Sequence, residues 1–482
     1  MAAAFQFEHS LSFTPDRAVE ILRTIPALPG IFALRGAEES AQPYLTRAAN
    51  LQRRMQRLLS PPDARRSESD ADGKPLLSNR LNLSARVAHI DYTITGSEFE
   101  SLLVIYRASA AIFGLDEARR RLKLRTPYFL RFAAENAFPR IYTTNKLAKR
   151  SLAHTYGPFP SRAAADRYCE AVEDLFLIRR CHEELHPAAD HPGCIYGEMG
   201  KCLAPCNRAQ IPAEAAAYSA EAASVEAFLN TRGESLLTQL TAEREQASTD
   251  LNFERAAEVH AQIQKVKAAI ALADELVAPI PQLRAIIVQK AAHGATKDHP
   301  NHDSVIPSED ATVQVASQSR DLQLDAPIAA LFLLSSGCLF GPAQLSTLGV
   351  RAVREQTAVG SSLFAQPLML EAVPLAEDGA PQPTPTPVES PEARATAAIV
   401  TLEPQAGAPH ASDLATLSDH LSLLRRWYYR PEKQRAGEIF FPREDGSWPV
   451  RRILRAAARA ALGEPTLMPH IRRDLAQKNP EA

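Results

Sequence analysis

The chain has almost no net charge. Its 482 residues carry 54 Lys/Arg against 56 Asp/Glu, a formal balance of −2, so bulk charge announces no nucleic-acid partner. Long apolar runs are also missing. The most apolar stretch, 326–340, is broken by Pro327, Ser335, Ser336 and Gly337, too short and interrupted to span a bilayer. The opening MAAAFQFEHS has no basic region leading into a long apolar core, so no secretory signal is read and the cytoplasm is the expected location. No internal repeat is visible. Cysteine is scarce, with six in all. In a cytoplasmic chain these are not expected to form disulfides, so clustered ones point to metal or redox chemistry.

What remains is ordinary in bulk and specific in places. Hydrophobic residues at 45% and charged residues at 23% suit a globular protein, and the length allows two to four domains. Local charge is uneven. Residues 107–150 hold eleven Lys/Arg and three Asp/Glu, including Arg119, Arg120, Arg121, Lys123 and Arg125. Such a stretch can lie along phosphates, or be a solvated face.

An α+β multidomain fold is expected. Short strand-like runs at 31–34, 43–45 and 89–94 flank a helix over 48–59, with Leu51, Met55, Leu58 and Leu59 on one face. With a helical pattern from 98 to 111 they make a small α/β unit over 20–111. Residues 112–235 read as mostly helical around a cysteine-bearing loop, and 236–277 as a helical hairpin. Residues 278–372 alternate like strands, with a polar insertion over 292–311 expected to be disordered. Residues 329–339 should form two buried strands around a glycine turn. Residues 373–412 read as a disordered linker rich in Pro, Ala, Thr and Glu, and 413–482 as a basic, aromatic, helical segment.

Cys181, Cys194, Cys202 and Cys206 are spaced by thirteen, eight and four residues. Four thiolates are the usual ligands of a [4Fe–4S] cluster or a structural zinc. The spacing is not that of paired zinc-ribbon cysteines, yet His182, His186 and His191 lie among them, so zinc stays open. Phe176-Leu177-Ile178-Arg179-Arg180-Cys181, Pro192-Gly193-Cys194 and Gly200-Lys201-Cys202-Leu203-Ala204-Pro205-Cys206 resemble the cysteine region of the UvrC excinuclease family. The preceding Tyr156-Gly157-Pro158-Phe159 is similar to that family's F-G-P-Y stretch. The resemblance implies that these cysteines hold an iron–sulfur cluster.

The likeness extends upstream to the GIY-YIG nuclease fold. Pro29-Gly30-Ile31-Phe32 is similar to P-G-V-Y. Residues 43–54 are similar to the Y-V-G-K-A-K-N-L-R-K-R run, and Ser97-Glu98-Phe99-Glu100-Ser101-Leu102-Leu103 to S-E-x-E-A-L-L. That family performs metal-assisted phosphodiester hydrolysis, in which tyrosine hydroxyls serve water, an arginine offsets phosphorane charge and a glutamate holds the ion. Carried over by position, Tyr44, Arg47 and Arg54 are the catalytic remnants. Phe32 replaces a tyrosine, Thr46 a glycine and Ile105 the metal-binding glutamate, while Glu117 falls at the usual asparagine. An isoleucine cannot ligate Mg²⁺, so inefficient cutting is expected unless Glu98 or Glu100 shifts into the site.

Residues 243–259 resemble the UVR motif, A-x-x-x-L-x-F-E-x-A-A, interrupted here at Thr249-Asp250. Asn252 can cap the second helix, where Phe253, Ala256, Ala257 and His260 recur on one face. Leu251 and Phe253 can fill the joint. In the family the partner is UvrB, so Leu251, Phe253, Glu254, Ala256 and Ala257 are the candidate docking residues. Packing of the hairpin within its own chain is the alternative. His260-Ala261 stands where the family usually has Arg-Asp.

No carboxylate-bearing strand set of the F-D-I-S-H type and no repeated G-x-G hairpins are found, so the RNase H-like nuclease and helix-hairpin-helix pair that end UvrC proteins are not expected. Residues 421–459 interleave Trp427, Tyr428, Tyr429 and Trp448 with arginines, which suits base stacking or a small core with a charged rim. The resemblance, over about 20–350, implies a nucleotide excision repair protein that binds DNA, docks on UvrB and cuts weakly or not at all. An active metal-dependent GIY-YIG endonuclease and a protein-interaction adaptor that does not touch DNA are the rivals.

Overall fold

The computed structural model describes residues 5–38, 41–60, 81–292, 327–350, 390–407, 413–431 and 434–464. The elements are mixed helix and antiparallel strand, as expected of an α+β chain. No helix among the described residues is long and apolar enough to cross a membrane.

The first unit comprises β1 (His9–Ser12), α1 (Ala18–Thr24), β2 (Gly30–Arg35), β3 (Tyr44–Ala48), α2 (Leu51–Leu59), β4 (His89–Ile94), α3 (Glu98–Phe113) and α4 (Leu115–Leu122). Its sheet runs in the order β1-β4-β2-β3, every pair antiparallel. The Asn50 side chain accepts from Arg53 N and so starts α2. That helix buries Leu51, Met55, Leu58 and Leu59 against Phe32 and Ile90, the face its sequence spacing predicts. On the other side of the sheet, α3 packs Val104, Ile105 and Ala108 on Ile31. Gly30 is required where it stands, because a Cβ there would lie 2.4 Å from Thr93 O.

The second unit adds a small sheet to the helices expected over 112–235. It holds β5 (Tyr128–Phe132), β6 (Ile141–Thr144) and β7 (Thr155–Phe159), then α5 (Arg162–Glu173), α6 (Ile195–Glu198), α7 (Pro205–Arg208) and α8 (Pro212–Asn230). The strands are four or five residues long. Runs that short carry little periodic signal, although Tyr128-Phe129-Leu130-Arg131-Phe132 has the aromatic content of a strand. Two long helices complete the unit, α9 (Glu234–Thr249) and α10 (Phe253–Ile270). The chain then returns as β8 (Ala278–Pro279), giving the order β6-β5-β7-β8. Residues 278–279 therefore belong to this sheet and not to the connector. One core of Phe132, Tyr156, Val172, Phe228, Val259 and Ile263 holds the sheet, α5, α8 and the hairpin base together.

The third unit begins with β9 (Arg284–Lys290), β10 (Ile328–Ser335) and β11 (Cys338–Ser346). The two buried strands expected over 329–339 are present. Ser336 and Gly337 both take positive φ, 48° and 79°, in the two-residue turn between them. Next come α11 (Pro391–Gly407), α12 (Leu414–Tyr428), β12 (Glu438–Phe440) and α13 (Val450–Leu462). The linker expected over 373–412 is corrected here. Its part 391–407 is a helix that buries Ala395, Ile399 and Leu402 in the same core as Phe332 and Leu345. The alanines that suggested a linker are also strong helix formers. Residues 373–389 and 408–412, and most of the 292–311 insertion, lie outside the described residues. The described part of the 413–482 segment, residues 413–431 and 434–464, belongs to this unit as well, and 465–482 lie outside the described residues. β12 joins β9 in a sheet of order β11-β10-β9-β12, and Trp427, Ile453 and Leu454 enter the core.

The first and third units meet closely. A Cβ at Gly96 would lie 2.1 Å from the Ala291 carbonyl carbon, so only glycine allows this approach. Phe99, Leu103 and Tyr106 of α3 are buried in the core of the third unit.

Candidate functional site

Tyr44 and Arg54 remain neighbours, with Arg54 Nη2 donating to Tyr44 Oη at 3.4 Å. Phe32 is fully buried, its ring centroid 6.3 Å from that of Tyr44. Arg47 is turned elsewhere. The register pairs Leu34 with Tyr44, Phe32 with Thr46 and Ile31 with Arg47. Strand alternation therefore puts Tyr44 and Thr46 on the α2 face and Arg47 on the α3 face. Arg47 Nη1 donates to Glu98 Oε1 at 3.0 Å, and Arg430, just beyond α12, holds the same carboxylate at 3.0 Å. Hydrogen bonding to Arg430, then to Arg47, lowers the Glu98 carboxyl to about 2.

Both glutamates named as possible replacements for Ile105, Glu98 and Glu100, have partners in the fold. Glu98 is spent on two guanidinium groups. Glu100 caps α3, accepting from Gly96 N at 2.7 Å while its own N–H donates to Ser97 Oγ at 3.1 Å, a capping box. Burial pushes its carboxyl up to about 7. Ile105 is buried in an apolar cluster with Ile31, Val104 and Ala108. Glu117 pairs with Arg120 and Arg121 on the surface of α4. Sequence reasoning missed Arg430, which comes from 332 residues away. It also missed a cleft of about 940 Å³ between the first and third units, lined by Arg47, Glu98, Lys290, Arg435, Glu438 and Arg459.

The basic stretch divides by role. Arg119 Nε donates to both Asp419 oxygens at 2.9 Å, and Tyr106 Oη donates to Asp419 Oδ2 at 2.9 Å, so Arg119 works inside the fold. Arg107 donates to Gly341 O and Leu339 O. Arg120, Arg121, Lys123 and Arg125 are exposed; Arg121 also lies 3.8 Å over the Phe113 ring. The aromatics of the C-terminal stretch do not form a stacking platform. Trp427 is buried and its Nε1 donates to Ala436 O, while Tyr429 Oη donates to Pro158 O.

The four clustered cysteines lie in the irregular stretch between α5 and α8. Cys202 and Cys206 are buried and Cys181 and Cys194 half-buried. Burial, reinforced by Cys194, Cys181 and Cys206, holds the Cys202 thiol up at about 11. Burial also raises Cys181 and Cys206, and Cys194 adds to both. Ala204 takes φ 53° and its N–H donates to Cys202 Sγ at 3.3 Å. Two neighbouring histidines are engaged elsewhere, His182 Nδ1 with Arg140 and His191 Nδ1 with Gly193 N. Among the described residues, no group of three or more His, Cys, Asp or Glu is set to hold an ion directly. Cys169 and Cys338 are buried apart, in α5 and β11.

At the hairpin, Asn252 accepts from Arg255 N and starts α10 as its sequence predicts. The joint is not filled by Leu251 and Phe253, which is a correction. They are 72% and 66% exposed at the tip. Glu254, Ala257 and His260 are exposed too and Ala256 half-buried, while Val259, Ile263 and Val266 form the inward face. Leu251 takes φ 56°, a strained conformation for a leucine.

Comparison with known proteins assigns this middle stretch. Residues 128–228 match the family model for the UvrC/Cho excinuclease middle domain, and residues 234–269 the model for the UvrB/uvrC motif. Over this stretch the chain is thus similar to a UvrC-type middle domain and, directly after it, to a UVR motif. It is 29% identical over 253 residues to UvrABC system protein C of Salmonella paratyphi B, Salmonella heidelberg and Salmonella schwarzengrund. That match covers 52% of this chain and 38% of each relative. No solved structure matches the chain.

Proposed function

We propose that the chain is a nucleotide excision repair protein that docks on UvrB through its UVR hairpin, binds DNA, and cuts it inefficiently or not at all. The observation that carries this reading is the tip of the hairpin. Leu251 and Phe253, inside the matched motif, stand in solvent where a soluble chain gains nothing from them unless a partner covers them. Arg120, Arg121, Lys123 and Arg125 supply exposed charge for phosphates; Arg119, anchored on Asp419, does not. Ile105 in an apolar cluster, with Glu98 and Glu100 committed elsewhere, supports the reading of inefficient cutting.

Cys181, Cys194, Cys202 and Cys206 are proposed to hold a [4Fe–4S] cluster, or failing that a zinc ion. Bound there, the group would tie the segment between α5 and α8 into one piece. Mg²⁺ enters only if the nuclease acts. The specific ground for that rival is the surviving Tyr44–Arg54 contact.

The test is a nicking assay on UV-damaged plasmid with Mg²⁺ or Mn²⁺, with and without UvrA–UvrB, beside a Tyr44→Phe/Arg54→Ala variant. The expected result is no variant-dependent incision, with binding to the UvrB–DNA complex retained. Incision lost in the variant would favour the endonuclease, and absence of both activities the adaptor. For the cysteines, anaerobically purified protein should be brown with about four irons per chain. Colourless protein with one zinc would replace the cluster by zinc.

A further inference from the structure

The cleft between the first and third units has the make-up of a ligand site. Its volume of about 940 Å³ falls within the roughly 300–1,000 Å³ of small-molecule pockets, and Pro29, Ala48, Val288, Ala456 and Ala460 give it an apolar wall. Both units fix its geometry. A Cβ at Gly96 would lie 2.2 Å from Lys290 O, so the end of β9 is set against the start of α3. β12 pairs Glu438 with Val288, which brings Arg435 along the same edge.

The charges along the cleft do not cancel. Glu98 is taken by Arg47 and Arg430, each at 3.0 Å, and Glu438 by Arg459 at 2.9 Å; Glu464 is engaged as well. Lys290 and Arg435 also line the cleft, and neither forms an ion pair among the described residues. Lys290 is exposed. Arg435 spends only Nη1, which donates to Tyr428 O at 2.8 Å. Ser97, 8% exposed, lines the cleft too. Its Oγ accepts from Glu100 N at 3.1 Å, and its O–H has no acceptor among the described residues. Two cations and a hydroxyl donor therefore border an apolar cavity whose carboxylates are already matched. A cationic ligand would meet Lys290 and Arg435 without compensation. An anion gains charge-assisted hydrogen bonds there, and three donor groups suit the three terminal oxygens of a phosphate better than the two of a carboxylate.

We propose that this cleft binds a nucleotide-sized phosphomonoester, its phosphate on Lys290, Arg435 and Ser97 and its less polar body on the alanine-lined wall. Two sources carry that chemistry, a free mononucleotide and the 5′-phosphorylated end of a DNA strand. The site is separate from the hairpin tip and from the exposed Arg120, Arg121, Lys123 and Arg125, so it stands or falls independently of docking on UvrB.

The full chain is titrated by calorimetry as wild type, Lys290→Glu, Arg435→Gln, the cleft-filling Ala49→Trp and Lys146→Glu. The last makes the same charge change at an exposed residue off the cleft, and Ala49 is itself exposed, so its variant keeps the test open if Lys290→Glu fails to fold. The probes are dAMP, deoxyadenosine, and hexathymidylate with and without a 5′ phosphate. dAMP should bind saturably. Lys290→Glu and Arg435→Gln should each weaken it by about 10–100-fold, the scale of one hydrogen bond between charged groups. Ala49→Trp should block it and Lys146→Glu leave it unchanged. A preference for the phosphorylated hexamer that Lys290→Glu removes identifies the strand end as the source; dAMP binding without that preference identifies the free nucleotide. Absence of both would overturn the proposal. So would deoxyadenosine binding as tightly as dAMP, or an equal loss of dAMP binding in Lys146→Glu.

Discussion

Two glutamates in the first turn of α3 answer pH in opposite directions. Glu100 has its folded value raised to about 7 from an ordinary 4.5 by burial. The folded protein therefore binds more protons than the unfolded chain between those values, and stability falls as pH rises from about 4.5 to 7. Glu98 is lowered to about 2 by Arg430 and Arg47, so its contribution is present above about 4.5 and lost as pH falls toward 2. Being half exposed, it is worth less than about 1 kcal/mol. Glu100→Gln should keep the cap and gain on wild type as pH rises from 5 to 8 in urea melts. A constant offset across that range would show that Glu100 is not titrating there. The family resemblance picked out Tyr44, Arg54 and Ile105 but could not show Arg430 against Glu98, because a contact across 332 residues leaves no local pattern.

At the scale of the element, the hairpin was the most legible part. A capping asparagine and a break near 250 are local signals, and both appear where the sequence puts them, whereas the face read as Phe253, Ala256, Ala257 and His260 is not the buried one. What could not be read was which face turns inward. Both faces of α10 carry apolar residues, and only tertiary packing chose Val259, Ile263 and Val266 over Phe253. Leu251→Ser/Phe253→Ser should therefore leave the melting temperature within a degree or two. It should weaken binding to UvrB by at least about 30-fold by calorimetry, the scale of two interface anchors. Unchanged affinity would remove the tip from the interface. The short strands β5, β6 and β7 went unread for the opposite reason, since four or five residues do not establish a period.

At the scale of the molecule, α12 joins all three units. Arg425 donates to Pro160 O, Arg426 to Leu122 O and Tyr429 to Pro158 O, while Asp419 takes Tyr106 and Arg119. This is why basic and aromatic residues that resembled a nucleic-acid surface are found in joints between units. Asp419→Ala would remove the acceptor of Tyr106 and the buried partner of Arg119, which keeps only the exposed Asp116, and should cost about 1–3 kcal/mol, read as an early unfolding transition. Charge reversal at Arg120 and Lys123 should spare stability and reduce the salt dependence of DNA binding by roughly one phosphate contact each.

The most direct measurement pairs incision with docking on one substrate. UV-damaged plasmid is incubated with UvrA, UvrB and this chain in Mg²⁺ and Mn²⁺, and nicking and retention on the UvrB–DNA complex are scored together. Retention that disappears in Leu251→Ser/Phe253→Ser, without nicking above the Tyr44→Phe/Arg54→Ala background, is the expected result. Nicking that requires Tyr44 and Arg54 would contradict it.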